Sequence, residues 1–192
     1  MIKKKPFELL AKEINDISSL LNDLRDTKLK NFDTLCLYAL RAIKNGKKII
    51  FFGNGGSASD AQHLAAELVC KYKKKRKAIA GISLSTDTSI ITSVSNDLDF
   101  KYIFSRQIEA IGNQGDIAIA ITTSGNSKNL IEAAKSARKK KITTFCFSGN
   151  KGGKIKKYFK FPILIPSSTT SQIQVVEILI GQIFCEFLEE NC

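Results

Sequence analysis

No stretch of this 192-residue chain approaches the roughly 20 consecutive apolar residues that a helical membrane span requires. The only early apolar stretch, Phe7 to Leu10, is far too short for the apolar region of a secretory leader, so a soluble, cytoplasmic protein is expected. Five cysteines, Cys36, Cys70, Cys146, Cys185 and Cys192, make an odd number and show neither a CxxC pair nor finger-like spacing. Free cysteine is most often a small core residue, so buried, reduced thiols are expected. Tryptophan is absent, and so is any sequence word that reads RNA or DNA. Linkers and internal repeats are missing as well, and the length suits one domain, residues 1–192, with enough chain to bury a substantial core unaided.

What the chain has in excess is positive charge, with 30 Lys and Arg against 18 Asp and Glu for a formal net charge of +12. The lysines cluster in Lys71 to Lys77, Arg138 to Lys141 and Lys151 to Lys160. Such a balance raises the question of nucleic acid. Because the clusters lie in three different segments with no reading motif beside them, a solvated, lysine-biased surface is expected, with no nucleic-acid and no membrane partner.

Residues 7 to 24 place Phe7, Leu10, Ile14, Ile17, Leu21 and Leu24 at spacings of three or four, the helical period. A second helix is expected from Asn31 or Asp33 as N-cap to Gly46 as its stop. These two leading helices, 1–46, precede an α/β core at 47–192. There, short apolar runs at 48–52, 78–84, 116–121, 143–147 and 161–165 alternate with helical periodicity at 57–71, 88–95, 102–111, 128–139 and 170–190. The pattern predicts a three-layer, doubly wound, parallel five-stranded sheet with helices on both faces. In such sheets ligands bind beyond the carboxyl ends of the strands, so the loops there are the place to look for chemistry.

The first strand exits into Gly53-Asn54-Gly55-Gly56-Ser57-Ala58 just before a helix. Glycines allow close backbone approach, and a helix N-terminus offers unpaired N–H groups and a positive dipole end, which suit an anion or sugar hydroxyls. It is neither a Walker loop nor GxGxxG, and a turn needing glycine for geometry alone reads the same way. The third strand exits into Thr122-Thr123-Ser124-Gly125-Asn126-Ser127. Four hydroxyl groups beside a helix N-terminus can donate to several phosphate oxygens without a buried cation, whereas an ordinary N-cap needs one. Ser148-Gly149-Asn150 and the segment Pro166 to Thr170 end later strands and would widen the pocket.

His63, the single histidine, and Glu67 share one face of the helix after the glycine loop. Such a pair can ligate a divalent metal, the glutamate can act as a base, or the two can simply form a helical hydrogen bond. On the last helix, Gln174 and Gln182 lie close to two turns apart, with Glu177 a turn after Gln174. Inside the apolar run Ile173 to Phe187, these residues either face a pocket or interface or form a partly exposed stripe. Asn96-Asp97 is either ligand-facing or a turn.

In this order the pieces resemble the sugar isomerase (SIS) domain, specifically the phosphoheptose isomerases, over nearly the whole chain. The matching words are Gly-Asn-Gly-Gly-Ser-Ala-Ser-Asp-Ala-Gln-His at 53–63, Asn96-Asp97, Ser-Arg-Gln at 105–107, Thr-Ser-Gly-Asn-Ser at 123–127, Gly152-Gly153 and Ile173-Gln174. The resemblance implies a homotetramer that interconverts sedoheptulose 7-phosphate and a manno-heptose 7-phosphate for the heptose of lipopolysaccharide or other surface glycans. By position it implies that Asn54, Gly55, Gly56, Asn96, Asp97 and Gln174 contact the sugar, that Ser57, Thr122, Thr123, Ser124 and Ser127 line the phosphate and neighbouring positions, and that Glu67 is the acid/base residue. It also implies zinc at His63, Glu67, Gln174 and Gln182.

Two departures stand out. The family writes Ile-Gln-Glu-x-His-x-x-x-x-His on the last helix, and this chain has Glu177 and Gln182 at the histidine positions. Glutamine cannot shuttle a proton, because an amide has no accessible pKa. Lys71 replaces a family arginine, keeping the charge and losing the bidentate fork. Alongside isomerase stands a second reading, a non-catalytic sugar-phosphate-binding regulator like the family branch that binds a replication initiator. Members of that branch lack both the catalytic glutamate and the second last-helix histidine; this chain shares only the loss of the histidine and retains Glu67.

Overall fold

The structure, a computed structural model, describes residues 5–26 and 29–192. Two helices, α1 (Pro6–Asp26) and α2 (Phe32–Lys44), lead into β1 (Ile49–Gly53), α3 (Gly56–Val69), β2 (Gly81–Ser83) and α4 (Thr88–Asp97). A short turn of 3-10 helix then enters α5 (Ile103–Ile111), followed by β3 (Ile117–Ile121), α6 (Lys128–Lys139), β4 (Thr143–Gly149), β5 (Phe161–Ile165) and α7 (Thr170–Asn191). All strand pairings are parallel, in the order β2-β1-β3-β4-β5.

Strand side chains alternate between faces, and the core divides accordingly. Ile49, Phe51, Ile117, Ile119, Phe145 and Phe147 pack on one face with Leu35, Leu64, Leu68, Val176 and Phe184 from α2, α3 and α7. Ile50, Phe52, Ala118, Ala120 and Cys146 face the other way, against Phe104, Ile108, Leu130 and Ala134 from α5 and α6. The expected three layers are therefore present. α7 carries an 18-residue window of mean hydropathy 1.3, long and apolar enough to cross a membrane, and it packs on α3, α2 and the sheet.

Two expectations need correcting, and the expected Asn31 N-cap holds without a capping bond of its side chain. The second strand is Gly81–Ser83 rather than 78–84, because the Ile79 amide bonds the Leu68 carbonyl at the end of α3 and is lost to the ladder. The Asn31 backbone takes φ 70°, and its side-chain amide donates instead to the Pro162 carbonyl at 2.6 Å, tying α2 to β5. Cys36, Cys146 and Cys185 are buried, with burial pushing the Cys36 and Cys146 thiols up to about 12, but Cys70 and Cys192 are exposed. Cys70 follows the last buried residue of α3, Leu68, and Cys192 ends the chain.

Candidate active site

The carboxyl ends of β1 and β3 release the two ligand-type loops side by side, since these strands are direct neighbours. After β1, Gly55 takes φ 57° and the Ser57 and Ala58 amides close the turn on the Asn54 and Gly55 carbonyls, starting α3. A Cβ at Gly56 would meet the far end of the Gln174 side-chain amide of α7, which would have to shift. The glycine loop and the last helix thus meet at the mouth.

After β3, the Thr122 hydroxyl accepts from the Gly125 amide at 3.3 Å and the Ser124 hydroxyl from the Asn126 amide at 3.3 Å, which curl the loop. Ser127 occupies the N-cap of α6 without forming a side-chain cap bond, which leaves its hydroxyl for a ligand beside the positive end of the helix. Gly125, at φ 65°, has the Gly152 carbonyl where a Cβ would be, so the loop after β4 lies flat against it. A cavity of about 300 Å³ opens here, lined by Thr123, Ser124, Gly149, Lys151, Ser167 and Thr170 among others. The strand-end segments at 148–150 and 166–170 do widen the pocket. Lys151 was not anticipated, and its cation adds attraction for an anion; its place directly after Ser148-Gly149-Asn150 was the available signal.

On α3, His63 Nε2 and Glu67 Oε1 lie 2.9 Å apart, with side chains 46% and 18% exposed. The Glu67 carboxylate is thus neither sealed among apolar neighbours nor freely solvated. The 300 Å³ cavity does not include this pair, which sits about two and three turns along α3 from the glycine loop. With His63 nearly half exposed, the 63/67 face of α3 is directed outward. Gln174 and Gln182 are half-buried on α7, the former over Gly56. Asn96 and Asp97 end α4, exposed and hydrogen-bonded to each other at 2.7 Å. Ser57 and Thr122 are buried at the bases of their loops.

Among the described residues no three His, Cys, Asp or Glu side chains gather as a metal group. His63 and Glu67 offer two converging donors, and the glutamines could add amide oxygens only, a set that fits a weakly held divalent ion.

One residue escaped the sequence reading. Asn129, in the first turn of α6 and buried, bonds Asn54 across the two loops. A polar residue among the apolar positions of a helix start was its only signal. Glu177 is fully buried beneath the loops with neither carboxylate oxygen hydrogen-bonded, so the partly exposed stripe is excluded for it. Burial and the nearby Asp60 carboxylate push its carboxyl from the ordinary 4.5 up to about 8, the Thr122 amide drawing it partly back. Asp60 itself is raised by burial, with His63 opposing.

A family model for the SIS domain matches residues 14–149. The chain is 49% identical over 149 residues to the phosphoheptose isomerase of Aquifex aeolicus, covering 78% of each chain. It is 44% identical over 188 residues to that of Sulfurimonas denitrificans, covering 98% of this chain and 92% of the relative. The solved phosphoheptose isomerase of Neisseria gonorrhoeae matches with a TM-score of 0.90 at 32% identity, over 97% of this chain and 100% of that one. The chain belongs to the SIS-domain family, among the phosphoheptose isomerases.

Proposed function

We propose that the protein is an aldose–ketose isomerase that interconverts sedoheptulose 7-phosphate and D-glycero-D-manno-heptose 7-phosphate. The observation that carries this reading is Glu67, partly accessible and bonded to His63 on the helix that begins at the glycine loop, itself tied to the hydroxyl loop. The phosphate would rest on the 122–127 hydroxyls and the N-terminus of α6, fixing the sugar's far end, with Asn54, the glycines and Asn96-Asp97 on its hydroxyls. Glu67 would take the proton from the carbon beside the carbonyl to give a cis-enediolate, a proton would pass from the substrate's hydroxyl oxygen to the former carbonyl oxygen, and Glu67 would return its proton to the neighbouring carbon. Retention of Glu67 and the names of the relatives favour catalysis over the regulator reading.

His63 and Glu67, with amide oxygens from Gln174 and Gln182, are the residues that would hold zinc. The ion would polarise the substrate carbonyl. Protein purified without chelators is expected to carry zinc, and less than about 0.1 equivalent per chain rejects the ion as a resident group.

A homotetramer is supported by two unpartnered apolar rows, Phe7, Leu10 and Ile14 on α1 and Val175, Leu179 and Ile183 on α7, all exposed in the single chain. Such association would also close the outward 63/67 face. A cytoplasmic place in surface-heptose synthesis follows from the substrate assigned here.

The deciding experiment incubates the protein with sedoheptulose 7-phosphate in heavy water and follows deuterium at C1 and C2 and the appearance of aldose. Glu67→Gln should still bind the sugar phosphate and lose about 10²–10⁴-fold in exchange rate. Unchanged exchange in that variant places the base elsewhere. Tight binding by the wild type without exchange puts the regulator reading first.

A further inference from the structure

The two ligand loops lie far apart in the chain, yet one contact fastens them together. Asn54 Nδ2 donates to Asn129 Oδ1 at 3.0 Å, and Asn129 Nδ2 donates back to Asn54 Oδ1 at 2.7 Å. Asn129 is 2% exposed, while Asn54 is only half-buried at the exit of β1. A buried amide in a helix is costly unless its groups are bonded, and asparagine is also a poor helix former. Capping does not explain it, because the N-cap of α6 is Ser127. The Asn129 side chain makes two hydrogen bonds, and both reach across to the glycine loop. Each amide carries two N–H donors and an oxygen with two lone pairs, so the reciprocal pair leaves Asn54 one donor and one lone pair for a ligand.

We propose that Asn129 is a positioning residue that holds the Asn54 amide at a fixed distance from the hydroxyl loop, so that phosphate and sugar hydroxyls are read by one rigid platform. This rests on the sugar-phosphate reading above. The tether acts before any ligand arrives, which spares the substrate the entropy of ordering two independent loops. It predicts a division of labour, in which the hydroxyl loop alone suffices for inorganic phosphate and a phosphorylated sugar needs both loops in register.

The test is titration calorimetry with inorganic phosphate and with sedoheptulose 7-phosphate on the wild type, Asn129→Ala, Asn54→Ala and the double variant. Asn129→Ala should leave phosphate affinity within about twofold and weaken the sugar phosphate about tenfold, as expected for loss of one well-placed hydrogen bond. The double variant should bind no more weakly than Asn54→Ala alone, since Asn129 works only through Asn54. Equal weakening of both probes, additive losses, or a wild type that binds the two probes alike each overturns the tether. Should Asn129→Ala not fold, Asn129→Asp keeps the shape but removes the donor of the 2.7 Å bond, and an unchanged affinity ratio there also overturns it. A wild type without deuterium exchange would remove the isomerase reading and leave this ratio standing. An unchanged ratio in an active enzyme would do the reverse.

Discussion

Two glutamates of α7, three turns apart, are both buried and end in opposite states. Around Glu189, near the end of the helix, burial works against the charge, but the amides of Tyr72, Lys73 and Lys74 donate to the carboxylate at 2.8, 2.6 and 2.6 Å. Arg76 adds its Nε at 3.3 Å, and together these groups hold the carboxyl below its ordinary value. Around Glu177, beneath the ligand loops, burial is opposed only weakly, by the Thr122 amide, and a second carboxylate, Asp60, adds to it. The lesson is that burial alone does not set protonation. The number of N–H groups aimed at the oxygens decides it. Glu189 is thereby an anionic anchor for the loop after α3, and Glu177 is pushed towards its neutral form.

The comparison breaks most sharply at Glu189. Glu189→Ala strands three backbone N–H groups and a guanidinium that is itself 8% exposed, so it is expected to cost about 3 kcal/mol in urea unfolding. A cost below about 1 kcal/mol would mean that water replaces the carboxylate and that the anchor is unimportant. The neighbouring pairs Lys73–Glu186 and Lys74–Glu190 are exposed, and removing either should barely register.

Glu177→Gln sharpens the other side. A carboxyl whose folded value is raised binds more protons in the folded than in the unfolded state between 4.5 and about 8, so stability falls as pH rises through that window. Below 4.5 the penalty is absent, and above about 8 it is complete. The glutamine variant carries no such penalty and should exceed the wild type by about 2 kcal/mol at pH 6, with a larger gain at pH 9. Parallel pH–stability curves for the two proteins would show that Glu177 is ionised without cost.

Neither glutamate could be told apart from the chain alone. The 3.6-residue period of the last helix placed Gln174, Glu177 and Gln182, but an apolar helix carrying a few polar groups looks the same whether those groups face water, a pocket or the core. What separates them is the partner, and Glu189's donors lie more than a hundred residues away in sequence. The sheet was more legible, because unbroken runs such as Ile117 to Ile121 with loops rich in Gly, Ser and Thr after them leave few alternatives. The i, i+4 bond between His63 and Glu67 was readable for the same local reason. Asn129 was not, since its partner comes from another loop, and β2 shrank because of a tertiary bond from Ile79 to the end of α3. Local periodicity carries the elements, and long-range hydrogen bonds decide the polar positions.

The smallest effect concerns Arg76, which links the Glu189 anchor to the helix bearing Glu67. Its guanidinium donates to the Glu67 carbonyl at 2.7 Å and the Leu68 carbonyl at 2.8 Å, closing the last turn of α3 while its Nε faces Glu189. A lysine keeps the charge but cannot serve two carbonyls and a carboxylate with a planar fork. Arg76→Lys should therefore cost about 1 kcal/mol in the wild type. In a Glu189→Ala background the guanidinium has already lost the anion that orients it, so the same substitution should cost at least about 0.5 kcal/mol less. Additive costs would mean that Arg76 caps α3 independently, and the two ends of α7 would then differ only in their own donors rather than in what they pass on to the helix of Glu67.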